Sequence, residues 1–145
     1  MNAPRVVLES QIDGEFEGFD DEVLFKLTNG TYWVQDEYKY WYHYAYMPQI
    51  QLVGAHNRLY LQVVGQSESV AVRQIHGVVE SRINDEFRGW DGNSKYQLTN
   101  GQVWEQARYK YEYKYAYRPE VLIFDPGGGH IMKVAGTTAQ VRRVS

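Results

Sequence analysis

The segment Tyr38–Tyr46 has the sequence YKYWYHYAY, and the segment Tyr109–Tyr117 has the sequence YKYEYKYAY. Each segment places five tyrosines at every second position, while two of the four residues between them differ. Alternate residues of a β-strand lie on the same face, so each segment predicts a strand with a row of five tyrosines. We call each row a tyrosine ladder.

The two ladders belong to a longer internal repeat. With an offset of 71, Glu9–Gly65 aligns with Glu80–Gly136 without a gap, and 23 of the 57 paired residues are identical. A repeat of this kind indicates duplication of one structural unit. We therefore predict two domains, at residues 5–73 and 76–145.

Alternating apolar residues and turn signals predict an all-β fold with antiparallel strands. Thr28-Asn29-Gly30 and Thr99-Asn100-Gly101 each predict a hairpin turn, because Asn-Gly tolerates positive φ. We expect one long strand to follow each turn, over residues 32–46 and 103–117, and to end before Pro48 or Pro119. Short strands complete each unit at 24–27, 50–53, 59–64 and 70–72 in the first copy, and at 83–90, 96–98, 121–124, 131–134 and 141–144 in the second. Such a set suits a small closed barrel, which has no free sheet edges.

Several motifs of the second copy resemble small bacterial SH3-like β-barrel domains. They are LTNGQVWEQ at Leu98–Gln106, VLIF at Val121–Phe124 and the closing VRRV at Val141–Val144. The YxYxYxYAYxP segment and the IxxEFxGW segment at Ile83–Trp90 are similar to an uncharacterised bacterial subset of these domains. The first copy departs from the pattern at residues 31–35. The resemblance implies two tandem SH3-like barrels with a binding role and implies no catalytic activity.

Composition restricts the chemistry of the chain. It contains no cysteine, which excludes disulfides and thiolate sites. The opening MNAPRVVLES has no apolar stretch of signal-peptide length, and no run reaches the roughly 20 residues of a membrane span. We expect a cytoplasmic protein without a membrane partner. Residues 1–71 carry 4 basic and 10 acidic side chains, net −6, and residues 72–145 carry 11 and 8, net +3.

The residues between the tyrosines suggest which face of the ladder is buried. Trp41 corresponds to Glu112 and His43 to Lys114, whereas the tyrosines do not change. We therefore expect the tyrosines to face the constrained side and the intervening row to face mostly water. Three roles fit this expectation: packing in the core and between the copies, an interface between chains, or a platform that stacks on sugars or nucleobases. A further expectation is that the two ladder strands lie together around a pseudo-two-fold axis.

Other candidate chemistry is weaker. Among the early carboxylates only Glu15 and Asp20 recur in the second copy, as Glu86 and Asp91, and both positions suit a hairpin. The four histidines are not repeated and lack metal-ligand spacing, so we predict no enzyme activity, no metal and no cofactor. Two further pairs do recur, and we expect Trp33 and Trp104 in the core and Gln35 and Gln106 buried with hydrogen-bond partners.

These observations favour a non-enzymatic binding or assembly module that acts through its tyrosines. Its partner is expected to be another protein or a second copy of the chain. The alternative is a ligand-binding protein that stacks carbohydrate or single-stranded nucleic acid on exposed tyrosines. The candidate binding residues are Tyr38, Tyr40, Tyr42, Tyr44, Tyr46, Tyr109, Tyr111, Tyr113, Tyr115 and Tyr117.

Overall fold

The computed structural model describes residues 3–145, which form sixteen β-strands and no helix. The strands group into two compact units, the first ending at His76 and the second comprising Gly77–Ser145. The prediction of an all-β chain with two barrel-like halves is confirmed.

The first unit contains eight strands. They are β1 Arg5–Gln11, β2 Glu15–Phe19, β3 Leu24–Lys26, β4 Tyr32–Gln35, β5 Trp41–Tyr46, β6 Gln49–Ala55, β7 Arg58–Val63 and β8 Ser69–Ile75.

The second unit repeats the same eight elements in the same order. They are β9 Val79–Arg82, β10 Glu86–Trp90, β11 Lys95–Gln97, β12 Val103–Gln106, β13 Glu112–Tyr117, β14 Glu120–Phe124, β15 His130–Val134 and β16 Thr137–Arg143.

Both units have the same antiparallel topology. In the first, six strands form a sheet in the order β1-β6-β7-β8-β4-β3, and β2 pairs with β5 in a separate two-stranded sheet. In the second, the corresponding orders are β9-β14-β15-β16-β12-β11 and β10-β13. The duplication in the sequence is therefore matched strand by strand in the topology.

The six-stranded sheet of each unit curls so that its two edge strands meet at one end. Ile12, just after β1, forms a β-bridge with Leu27, just after β3, and Ile83 and Leu98 do the same in the second unit. The Thr28 amide also donates to the Gln11 carbonyl at 2.9 Å. This contact shortens the exposed edges and gives each unit its barrel-like form.

The predicted Asn-Gly turns are present and support the strands beside them. Gly30 has φ +86°, and the Thr31 amide donates to the Asn29 side-chain oxygen at 3.0 Å. The Thr31 hydroxyl also accepts the indole N–H of Trp33 at 2.9 Å. In the second unit Gln102 replaces Thr31 and accepts the indole N–H of Trp104 at 3.0 Å.

Each unit has its own hydrophobic core. The predicted core tryptophans, Trp33 and Trp104, are both buried. In the first unit Trp33 packs with residues that include Ile12, Phe16, Phe19, Phe25, Leu27, Ile50, Leu52, Leu61, Val63, Val70 and Val72. In the second unit Trp104 packs with residues that include Ile83, Phe87, Trp90, Tyr96, Leu98, Val121, Ile123, Met132, Val134, Ala139 and Val141.

The prediction of one long strand per unit was wrong. Residues 32–46 divide into β4, which pairs with β3 and β8, and β5, which pairs with β2. Residues 103–117 divide in the same way into β12 and β13. The chain leaves the six-stranded sheet after Gln35 or Gln106 and enters the two-stranded sheet after about five irregular residues.

The two-stranded sheets depend on one glycine each. Gly18 and Gly89 have φ +99° and +95°, and each lies at a β-bulge in the pairing with the ladder strand. A Cβ atom would lie 1.9 Å from the Trp41 carbonyl oxygen at Gly18, and 2.0 Å from the Glu112 carbonyl oxygen at Gly89. Only a glycine permits this approach of the two backbones.

Substitution of Gly18 by alanine should therefore destabilise the first unit by about 3 kcal/mol, because backbone strain and a clash with main-chain atoms add together. Gly30→Ala is the matched control, since Gly30 has φ +86° but nothing within 4 Å of the added methyl group. It should cost only about 1 kcal/mol. Urea unfolding measures both values, and equal losses would contradict the close approach at Gly18.

Candidate functional site

All ten ladder tyrosines lie on the surface. The least exposed is Tyr44 at 50% and the most exposed is Tyr109 at 76%. On β5 and β13 the tyrosines occupy alternate strand positions, so Tyr42, Tyr44 and Tyr46 point to one side of the first two-stranded sheet, and Tyr113, Tyr115 and Tyr117 do the same in the second. The other four, Tyr38, Tyr40, Tyr109 and Tyr111, are exposed in the irregular segments before these strands. Packing in the core of either unit is therefore excluded, whereas an interface between chains and a stacking platform stay as predictions.

Apart from the exposed Lys114, the intervening residues form the less exposed row. Lys39 and Lys110 donate from their Nζ atoms to the carbonyl oxygens of Ser69 at 2.7 Å and Thr138 at 2.6 Å. Ala45 is half-buried. The row that was expected to face water is thus the row that attaches the ladder to its barrel.

The exchange of Trp41 for Glu112 explains why the sequence was misleading. The Trp41 ring packs 5.1 Å from the ring of Phe19, measured between centroids. Glu112 instead accepts a hydrogen bond of 2.6 Å from the hydroxyl of Thr137. That hydroxyl in turn accepts the indole N–H of Trp90, which replaces Phe19, at 3.0 Å. The Thr137 hydrogen bond also lowers the pKa of Glu112. Trp41 and Glu112 thus both face their barrel, one through ring packing and the other through a hydrogen bond.

Gln35 organises the corner between β4 and the first ladder, and its side chain is only 4% exposed. Its side-chain oxygen accepts the Asp20 amide at 3.0 Å. Its amide nitrogen donates to the carbonyl oxygens of Asp20, Glu37 and Lys39, the last two at 2.9 and 3.1 Å. The predicted burial and bonding of this glutamine are confirmed.

Gln106 makes the equivalent contacts in the second unit. It accepts the Gly92 amide at 2.7 Å and donates to the carbonyl oxygens of Arg108 at 3.1 Å and Lys110 at 2.8 Å. The carbonyls of the irregular corner have left the sheet, and the glutamine supplies the donors they need. One side chain per unit thereby fixes where the ladder begins.

A carboxylate lies beside the middle tyrosine of each ladder strand, β5 or β13. The Tyr44 hydroxyl donates to Glu15 Oε1 at 3.2 Å, and the Tyr115 hydroxyl donates to Glu86 Oε1 at 3.1 Å. Partial desolvation and the charge of Glu15 raise the pKa of Tyr44, and the hydrogen bond to Glu86 raises the pKa of Tyr115. This pair is repeated in both units, so the duplication preserved a polar contact on the exposed surface.

One neighbouring charge differs between the units. Glu17 of β2 corresponds to Arg88 of β10, and both are exposed on the side of the tyrosines. Arg88 forms an ion pair of 2.6 Å with Glu86, which lowers the pKa of Glu86. The sequence analysis did not single out Glu17 or Arg88. The sequence signal for these two residues was the alternation of charged and apolar residues just before the bulge glycine, Glu-Phe-Glu at 15–17 and Glu-Phe-Arg at 86–88.

These residues define two surfaces. The first face consists of the five tyrosines of residues 38–46 with Glu15 and Glu17. The second face consists of the five tyrosines of residues 109–117 with Glu86 and Arg88. Chemically, each face offers broad aromatic rings, hydroxyl groups and a few charges.

Other parts of the described structure offer less for chemistry. Within residues 3–145, no three His, Asp or Glu side chains are grouped to hold a metal ion. Asp91 accepts the amides of Asn93 and Ser94 at 2.9 and 2.8 Å, and its hydrogen bonds lower its pKa, as suits a turn residue. An open cavity of about 520 Å³ lies beside the β6–β7 hairpin, is lined in part by Arg5, His56 and Arg58, and shares no residue with the first face.

Comparisons with family models, curated proteins and solved structures yield no match to the chain. The resemblance to bacterial SH3-like domains therefore stays a prediction. The part of the chain that the structure describes contains no helix long and apolar enough to span a membrane.

The glutamine corner can be tested with Gln106→Leu. This change leaves the Gly92 amide and the two carbonyls without their side-chain partner, so the free energy of unfolding in urea should fall by about 3 kcal/mol. Gln97→Leu is the control because Gln97 is exposed on β11, and it should change stability by no more than about 0.5 kcal/mol. Similar effects of the two variants would mean that the corner is held by other contacts.

Proposed function

We propose that the chain is a non-enzymatic tandem of small SH3-like barrels that acts as a binding or assembly module through its two tyrosine faces. The observation that carries this proposal is the outward placement of all ten ladder tyrosines. A tyrosine needed only for folding would be expected to pack in a core, and none of these does. Their retention in both copies is therefore best explained by a partner that covers them.

The size of each face suits a protein partner. A tyrosine side chain contributes about 150–250 Å² when fully buried. Five tyrosines that are half to three-quarters exposed thus present roughly 500–750 Å². This area reaches the upper range of the largest apolar patch on a typical monomer and approaches the roughly 800 Å² that each partner buries in a standard interface.

The chemistry of the faces also suits protein recognition. Tyrosine is enriched at interfaces because its ring buries a large area at low entropic cost and its hydroxyl tolerates water. Each face has a rigid β-sheet support and a hydroxyl–carboxylate pair of about 3 Å. A preformed surface of this kind loses little conformational entropy when a partner docks.

Single-stranded nucleic acid is disfavoured at the first face by the same geometry. A stacking platform for nucleic acid requires cations beside the aromatic rings to bind phosphate groups. The first face instead presents Glu15 and Glu17, and Lys39 points inward to Ser69.

Carbohydrate is the second candidate. The specific observation in its favour is the carboxylate within hydrogen-bond distance of a ladder hydroxyl, at Tyr44 and Tyr115. Flat rings that stack on a sugar, with carboxylate oxygens nearby to accept its hydroxyl groups, would give such a surface affinity for oligosaccharides.

The proposed function can be tested by sedimentation velocity over a wide range of protein concentration. The average mass of the wild-type protein should rise with concentration. A six-site variant that replaces Tyr42, Tyr44, Tyr46, Tyr113, Tyr115 and Tyr117 by threonine should stay monomeric, because it removes most of the aromatic area while keeping β-propensity.

The control replaces exposed apolar residues outside the faces, in Val6→Thr/Val64→Thr, and should associate like the wild-type protein. Circular dichroism confirms that each variant is folded. Oligosaccharides are titrated against the wild-type protein in parallel, with tyrosine and tryptophan fluorescence as the readout. A protein that is monomeric at every concentration and binds no oligosaccharide would contradict the proposed function.

A further inference from the structure

The two faces are alike except for one charge, and that difference carries an inference about which surfaces meet. Both have five tyrosines in the same positions and a carboxylate on the hydroxyl of Tyr44 or Tyr115, from Glu15 or Glu86. At the remaining charged position the first face has Glu17 and the second has Arg88. The substitution reverses the sign of the charge without altering the surrounding aromatic surface.

This charged position lies near the middle of the paired part of each face. In the first unit Phe16 pairs with Ala45 and Gly18 with Tyr42, so Glu17 lies opposite the bulge formed by His43 and Tyr44. In the second unit Arg88 lies opposite Lys114 and Tyr115. A partner that covers the tyrosines would therefore also cover this charge, where electrostatic complementarity affects specificity most strongly.

We infer that the first face of one chain binds the second face of another copy, with Glu17 and Arg88 as the complementary pair that selects this arrangement. The inference rests on the proposed function and names the partner of the two faces. Between two first faces, Glu17 and Glu15 would meet the same carboxylates and repel them. Between a first and a second face, Arg88 supplies the cation that the first face lacks.

Arg88 remains able to make this contact although it already pairs with Glu86. The ion pair uses one terminal nitrogen of a side chain that is 69% exposed. A guanidinium group carries five N–H donors, so Arg88 can donate to Glu86 and to a second carboxylate at the same time.

The net charges of the units act in the same direction. The segment up to His76 has 5 basic and 10 acidic side chains, net −5, and the segment from Gly77 has 10 basic and 8 acidic, net +2. Opposite signs steer the first unit of one chain towards the second unit of another and disfavour contacts between two first units. Each copy has one first face and one second face, so pairing of unlike faces leads to a closed ring or an open filament of copies.

A charge-exchange experiment tests the pairing. The single variant Arg88→Glu leaves each chain with two acidic faces, and we expect its self-association to be about 10- to 100-fold weaker than that of the wild-type protein. Mixing it in equal amounts with the single variant Glu17→Arg restores an Arg–Glu pair at every contact between the two variants, so association should return to within about threefold of the wild-type value. The double variant Glu17→Arg/Arg88→Glu should associate alone in the same way.

Glu17→Gln is the decisive single variant, because it removes the carboxylate that would meet Arg88 and adds no cation that could pair with the Glu86 of the other copy. Contact between two second faces makes no use of Glu17, so that arrangement predicts no effect of Glu17→Gln, whereas the pairing of unlike faces predicts weaker association. Glu9→Gln, an exposed substitution on β1 outside both faces, controls for the change in net charge. All dissociation constants are measured by sedimentation at low and at high salt, and the difference between variants should shrink as salt screens the pair.

The outcomes separate this inference from the proposed function. Association that requires the tyrosines but is unaffected by Glu17→Gln, or that mixing does not restore, overturns the pairing while the assembly function stands. A wild-type protein that stays monomeric overturns the pairing as well, and the binding role then depends on the oligosaccharide titration alone. Weakening by Glu17→Gln and by Arg88→Glu, with recovery in the mixture, supports the pairing.

Discussion

The buried side chain of one glutamine in each unit is the contact on which the placement of the tyrosines depends. Gln35 bonds the turn after β2 to the irregular corner after β4, and Gln106 does the same after β10 and β12. Without these donors, the corner carbonyls would have to stay in the six-stranded sheet or remain unsatisfied. The glutamine thus makes it possible for the chain to leave the barrel wall and form a second, small sheet.

The glycines at the two β-bulges are the second requirement for the small two-stranded sheets. The chain that leaves the corner pairs closely with β2 or β10 because Gly18 and Gly89 have no side chain. The inward row then attaches the ladder to the barrel, through Trp41 in one unit and through Glu112 and Thr137 in the other. The tyrosines are left on the outer side, supported by β-structure on which a partner can dock.

Much of the fold was predictable because its signals are local. The offset repeat indicated two units, the Asn-Gly pairs placed the hairpins, and the recurrence of Trp33 and Gln35 marked buried positions. The division of the long strand was not predictable in this way. Residues 36–40 keep the alternating pattern of a strand, and only tertiary hydrogen bonds to Gln35 show that they turn a corner.

The orientation of the ladder was misjudged for a related reason. A change from Trp41 to Glu112 suggests an exposed position when only the ladder is considered. The compensating residues, Trp90 and Thr137, lie on other strands and become relevant only when the fold is known. For the candidate site, the sequence indicated the ten tyrosines as candidates, but it did not predict that the row between them faces the barrel, nor the charges beside the tyrosines.

The central claim is that the ladder tyrosines are exposed in the folded protein, and a spectrophotometric titration of its 13 tyrosines tests it most directly. In dilute protein, we expect most phenols to ionise reversibly while circular dichroism still shows the folded state. Tyr44 and Tyr115 should ionise later than they would as free tyrosines because their pKa values are raised.

Tyr96 should ionise last, since burial raises its pKa to about 12. Because this shift favours the neutral phenol in the folded state, its contribution to stability is complete below pH 10 and is lost as the pH rises through about 12. A titration in which most of the 13 phenols ionise only on unfolding would contradict the account, because the ladders would then be buried.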